Sequence, residues 1–306
     1  MFRTSDRDTP ERPPAQAAPP KPSAPLGPGA KAKPVEPKPT RRPSGLLATI
    51  MPNQVVSANT MRLLIVGETA LALLVWLNSP FKVLPRPDEV GRALQSLWME
   101  QGLGPELWVS FKLNVEALVW TAFLSLVLSY LTVLPMFRPL VAALSKGRFV
   151  SLAGFTLLFT LMVGGGHVLK LSLLVFAMTV FFVTSMASVV ATVPRSALDY
   201  ARTLRMGEWR VVWEVVVLGT ADTALEVLRQ NAAIGWMMLT MVEGIVRSEG
   251  GVGAMLLGES KHFRLAEVFA IQLLILCVGL VQDYALGALR RLLCPYADLT
   301  RERQVA

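Results

Sequence analysis

This chain has few of the residues that usually carry chemistry. Among 306 residues there are only two histidines and two cysteines. Cys277 and Cys294 have no metal-ligand spacing. Both fall in or beside the last apolar segment, near the side expected to be reducing, so they read as small packing residues and not as a disulfide. No helical pair of carboxylate and histidine marks a metal. No Gly-x4-Gly-Lys-Ser/Thr loop is present either. The run Gly164-Gly165-Gly166-His167 lacks the strand before it and the Lys-Ser/Thr after it, and reads as a tight turn. The expectation is a non-enzyme that binds no metal or cofactor of its own. Charge is also scarce, at 17% of residues, where soluble domains carry about 25%.

What the chain has instead is apolar length. It is 53% hydrophobic, with a mean hydropathy of +0.47. Several runs reach the roughly 20 residues that span a bilayer. The net charge of +8 is unevenly spread. Basic residues gather in the N-terminal tail, between Arg138 and Arg148, between Arg195 and Arg210, and at Arg290, Arg291, Arg301 and Arg303. That is a positive-inside pattern. This distribution over the expected cytoplasmic segments argues against nucleic acid.

Residues 1–45 are dense in Pro, Ala and Lys, and cannot bury enough surface to offset ordering, so a disordered cytoplasmic tail is expected there. They contain no apolar signal core. Residues 46–306 read as one transmembrane domain. Six spans are expected, at about 61–78, 110–134, 149–163 (with a lead-in from Pro139), 168–193, 221–246 and 265–289. Basic loops two and four then place both termini in the cytoplasm and the outer loops, with mixed charge, outside. Only helices fit, because the spans lack the alternating polarity of barrel strands. No internal repeat stands out, which weighs against a secondary transporter.

One polar island breaks the pattern, from Pro194 to Glu208. Ser196 with Asp199 has capping-box spacing. Ala197, Tyr200, Ala201 and Leu204 share one face at helical spacing, with Arg195, Asp199, Arg202 and Arg205 mostly around it. Gly207 is placed to close the helix. Such a helix has an apolar stripe that a partner protein can cover.

Ionisable residues inside the expected spans are costly and therefore candidates for function. They are Glu68, Glu116, Glu226, Arg229, Glu243 and Asp283. Glu226 and Arg229 are spaced to pair. Asp283 is placed to pair with Arg290 or to anchor its helix end. Trp236 lies on the face of Glu243. Arg229, Trp236, Glu243 and Asp283 are the candidates for a solute pathway.

The island and its surroundings resemble the permease subunit of an ABC importer, of the nitrate/sulfonate/taurine/bicarbonate type. That family carries a cytoplasmic Glu-Ala-Ala-x3-Gly loop followed by Leu-Pro. Here Asp199-Tyr200-Ala201-Arg202-Thr203-Leu204 is similar to its first part. Leu84-Pro85-Arg86-Pro87-Asp88-Glu89-Val90, Ser110-Phe111-Lys112, Gly164-x-Gly166-x3-Lys170 and Gly251-Val252-Gly253 resemble further family segments. Arg229, Trp236, Glu243 and Asp283 also have counterparts. The likeness covers about residues 62–296. Two positions depart from it: Arg205 stands where the signature has Gly, and Gly219 where it has Pro.

The resemblance implies a type I importer bundle in the bacterial inner membrane. It implies a permease homodimer, two copies of a partner ATPase that bind ATP and Mg, and a periplasmic or extracellular solute-binding protein. The coupling loop would be about 194–219, with Ser196, Ala197, Asp199, Tyr200, Ala201, Leu204, Arg205 and Gly207 in the ATPase contact. The solute class implied is a small anion or organosulfonate. The departures leave open a permease-like scaffold or regulatory subunit, and a secondary transporter remains a third reading.

Overall fold

The computed structural model describes residues 57–78 and 84–295. The expected disordered tail, residues 1–45, lies outside them. The chain divides into two units, residues 1–66 and 67–306. In the first, the Ser57 hydroxyl accepts the Thr60 amide at 3.3 Å where α1 (Ala58–Leu77) begins. A side-chain acceptor at this position satisfies one of the free amides of a helix start. The second unit holds the rest.

Its elements are α2 (Pro87–Met99), α3 (Leu103–Leu131), α4 (Arg138–Lys146), α5 (Leu152–Val163), α6 (His167–Ala191), α7 (Arg195–Thr203), α8 (Glu208–Val211), a π-helical segment (Val212–Leu218), α9 (Ala221–Ile245), α10 (Val252–Lys261) and α11 (Leu265–Leu293). Among the described residues there is no strand. The helical class expected from the apolar runs is present, and the bundle is compatible with a multi-pass membrane protein.

The expected count of six spans is not reached among the described residues. Four helices are long and apolar enough to cross a bilayer: α1, α3, α6 and α11. The expected third span is not one straight helix. The segment from Pro135 to Phe149 meets α5 at 116°. The 12 residues of α5 reach only about 18 Å at 1.5 Å per residue. If the bent pair is one broken span, the count is five. The expected fifth span forms the 25-residue α9, but Glu226, Arg229, Gln230, Asn231 and Glu243 lower its hydropathy. Its buried residues include Asn231, Trp236, Leu239 and Glu243, so much of its length is interior.

Two segments between the expected spans are helical. Pro87 starts α2 with its fixed φ, and Asp88 and Glu89 sit in the first turn, where the helix dipole favours acids. The Glu89 carboxylate accepts the Arg86 amide at 3.0 Å. Val90, Ala93 and Leu97 then bury one face of α2 in the main core, and α2 packs on α11. The second such helix is α10, packed on α9 and α11.

The centre of the unit is α3 against α6 and α9. Glu116 meets His167 at 3.0 Å, and Ser125 donates to the Thr179 carbonyl at 3.5 Å. Partners advance in the same direction, so α3 and α6 run parallel. Ser110, Asn114, Thr121, Ser125 and Ser129 of α3 are all fully buried. Small polar residues let membrane helices approach closely. At Gly235 of α9 a Cβ would lie 2.9 Å from both Asn114 Oδ1 and Met178 Cε, so only glycine fits without displacing side chains.

Candidate functional site

The polar island folds as a short helical hairpin at the basic end of the bundle, where α3 and α6 finish. Its first helix, α7, covers Arg195–Thr203. The expected capping box is not formed: Pro194 is the residue before the helix and no side chain caps it. Ser196 is already inside the first turn, two residues too late. Asp199 instead pairs with Arg202 at 3.1 Å.

The expected apolar stripe is split. Ala201 is 4% exposed and packs inward, and Ala197 is half-buried. Tyr200 and Leu204 are 68% and 60% exposed. The surface open to a partner is therefore Tyr200 and Leu204, with Ala201 seating the helix on its own chain.

Gly207 does not close α7. It precedes α8 with φ −65°. The closing residue is Arg205, whose φ is +57°, in the left-handed region. The Met206 amide reaches back to the Ala201 carbonyl at 3.4 Å. This wrapping of the last turn normally uses glycine, because a side chain is strained there. Arg205 thus adopts a conformation that glycine favours.

Arg202 holds the hairpin together. Its Nε and Nη2 donate to the two Glu208 oxygens, both at 3.0 Å, while Nη1 donates to Asp199. The hydrogen bonds from Arg202, and then its charge, hold the Glu208 carboxyl below its ordinary pKa. Arg202 is raised in turn, chiefly by its hydrogen bond to Glu208. After α8 the chain continues as π-helix to Leu218, and nothing in the residue pattern announced that. A Cβ at Gly219 would collide with the Val215 carbonyl oxygen. The Tyr130 hydroxyl of α3 lies 3.2 Å from Thr220 Oγ1, tying the loop exit to the bundle.

The intramembrane candidates separate into three settings. Near the basic end, Arg290 of α11 takes both Asp222 oxygens at 2.6 and 2.9 Å and Glu226 at 2.7 Å. Arg229 pairs with Asp283 at 2.9 Å and lies 3.7 Å from Glu226. The expected Glu226–Arg229 pairing is present. The expected Asp283–Arg290 pairing is not, because Arg229 stands nearer to Asp283 and Arg290 is engaged with Asp222 and Glu226.

Midway, the Trp236 indole donates to Gln282 Oε1 at 2.8 Å, and the Asn114 amide donates to the same oxygen at 3.0 Å. Trp236, Thr240, Gln272, Gly279 and Asp283 line an open groove of about 460 Å³ between α9 and α11. Trp236 and Asp283 share this groove.

Glu243 lies elsewhere. It is fully buried. It accepts the Ser110 hydroxyl at 2.7 Å and the Gly253 amide at 2.8 Å. Ser110 also accepts the Val252 amide at 2.8 Å, Glu106 takes the Gly251 amide, and the buried Lys170 ammonium donates to the Gly250 carbonyl at 2.7 Å. Four side chains from three helices thus clasp one glycine turn. Gly251 has φ +104° and its absent Cβ position is filled by the Glu243 carboxylate. No group of three or more metal-ligating side chains is found among the described residues. Cys294 is buried and Cys277 exposed, and neither is in a disulfide.

Neither a family model nor a curated protein matches this chain.

Three features escaped the sequence reading: the π-helical segment, the Arg290 pairings and the groove. Asp222 and Glu226 at i and i+4, with Arg290 at the far end of the next long helix, was the one available signal for the second.

Proposed function

We propose that the chain is the permease subunit of an ATP-driven ABC importer, working as a homodimer in a bacterial inner membrane with both termini cytoplasmic. The observation that carries this reading is the end of α7. Arg205 adopts the left-handed conformation at the place where the resembled signature has glycine, and the turn leaves Tyr200 and Leu204 exposed. An exposed apolar pair on a short helix suits a groove in a partner. The partner is an ABC ATPase, two copies per dimer, which binds the ATP and Mg. A solute-binding protein delivers a small anion or organosulfonate from outside.

Six crossings fit this reading if α9 crosses inside the bundle, shielded by α6, α10 and α11, and if the bent α4–α5 segment is one broken span. The groove with Trp236, Thr240 and Asp283 is open on one side of the single chain. A second copy placed against it would close it into a shared pathway. Asp283 lines it and is already paired with Arg229, a contact that would shift as the helices tilt.

The test is affinity purification of the full chain from native membranes. The wild type should bring down a Walker-motif ATPase, and Tyr200→Asp with Leu204→Asp should lose it while keeping the wild-type melting temperature. An ATPase retained by that variant removes the docking role of α7. No ATPase with the wild type overturns the importer reading and favours a scaffold subunit.

A further inference from the structure

Behind α7 lies a second cavity, of about 410 Å³, which the importer reading does not use. It is walled by the basic-end tips of α3 and α6 on one side and by α7, α8 and the π-helical segment on the other. Val190, Val212 and other aliphatic side chains supply most of its surface. Three guanidiniums line it: Arg138, Arg195 and Arg202. One carboxylate, Glu208, lines it too.

The three arginines are not equally engaged. Arg202 is spent on Glu208 and Asp199. Arg138 gives only its Nε, to the Thr132 carbonyl at 3.1 Å. Arg195 makes no ion pair or hydrogen bond among the described residues. Glu208 is neutralised by Arg202, so two guanidiniums with spare donors face an apolar-walled space, with no unpaired carboxylate on its walls.

We propose that this cavity binds a phosphate-bearing anion, and that in the membrane the occupant is the headgroup of an anionic phospholipid. Guanidinium donors match phosphate oxygens in geometry as well as charge, since the planar fork binds two oxygens at once. Aliphatic walls suit the glycerol and upper acyl segments, which a free ion does not supply. The position fits as well. The ends of two helices that are apolar enough to span put the cavity at headgroup depth, and basic pockets between helices on the cytoplasmic side are where acidic headgroups bind. The proposal requires that α3 and α6 cross the bilayer, not that the chain serves an ATPase. Because Arg195 and Arg202 belong to α7, the bound lipid would brace the hairpin against the bundle.

The experiment uses the full chain in detergent, studied by native mass spectrometry with phosphatidylglycerol, phosphatidylcholine and inorganic phosphate as separate probes. Phosphatidylglycerol should be retained and phosphatidylcholine should not. The Arg138→Ala, Arg195→Ala double variant should lose phosphatidylglycerol by about tenfold or more, since each basic side chain near a lipid surface contributes about fivefold. Arg148→Ala, a basic residue of the same loop region outside the cavity, should bind as the wild type does. Competition by millimolar inorganic phosphate would keep the anion site but assign it to a soluble phosphate. Equal retention of both lipids, or equal loss in Arg148→Ala and the double variant, would overturn the proposal. An unchanged melting temperature in the double variant separates loss of the site from loss of the fold.

Discussion

Arg202 grips Glu208 through two parallel hydrogen bonds, both 3.0 Å long, across the turn that Arg205 makes. This pair joins α7 to α8 and so fixes the angle at which Tyr200 and Leu204 are presented. Both side chains are well exposed, so the pair matters less for global stability than for local order, as is usual for surface ion pairs.

The pair makes the hairpin sensitive to acid. The Glu208 carboxyl is held below its ordinary value of 4.5 in the folded chain. Its contribution is therefore fully present above that ordinary value and disappears as pH falls through the lower, folded one. Hydrogen exchange of α7 amides, corrected for intrinsic rates, should quicken as pH drops below about 4.5 in the wild type. Glu208→Gln should exchange faster already at pH 7 and show no further acid step. An acid step of the same size in Glu208→Gln would remove Glu208 as its origin.

Arg205 carries a backbone cost that glycine would not. A non-glycine residue held in a sparsely populated region costs of order 1 kcal/mol. Arg205→Gly should leave the melting temperature unchanged or raise it, because relief of strain and extra freedom in the unfolded chain oppose each other. Arg205→Val should lower stability by about 1 kcal/mol or more, since branching at Cβ disfavours positive φ. Detergent-phase thermal unfolding measures both. Equal stability of the glycine and valine variants would show that Arg205 has left that conformation in solution.

The clasp around Gly250–Gly253 holds several buried polar groups to one another. Removing Glu243 leaves a buried hydroxyl and a buried amide without their acceptor. Glu243→Ala should cost about 2–4 kcal/mol, and Glu243→Gln less, because its carbonyl oxygen keeps one of the two bonds. Unfolding with denaturant checks this order. A Glu243→Ala variant as stable as the wild type would mean that the clasp does not hold the turn.

Apolar length and charge placement made the long helices legible, and the expected ends fell within four residues of those of α6, α9 and α11. The second span was placed seven residues late, because Leu103–Val109 carries Glu106, which the structure uses to hold the Gly251 amide. The bend before α5 was hidden, since a run of apolar residues looks the same whether it crosses a membrane or turns within it. In the island, Ser196 and Asp199 had the spacing of a capping box but not the phase, because Pro194 sets the helix start. Trp236 and Asp283 do share a groove. Glu243, on the same helical face, does not, because an acid on an interior helix can serve a turn as readily as a solute. The pairing of Arg290 with Asp222 and Glu226 depends on tertiary register, which no single helix encodes.

The π-helical segment from Val212 to Leu218 has a mechanical consequence. Such a segment winds more residues into each turn than an α-helix does. Letting out one residue would rotate the hairpin against α9 by about 100° and shift it by about 1.5 Å. Only the local backbone pairing, i+5 against i+4, has to change. The joint between the loop and the interior helix is therefore a screw thread, in which twist and travel come together, with Gly219 at its end where no side chain fits.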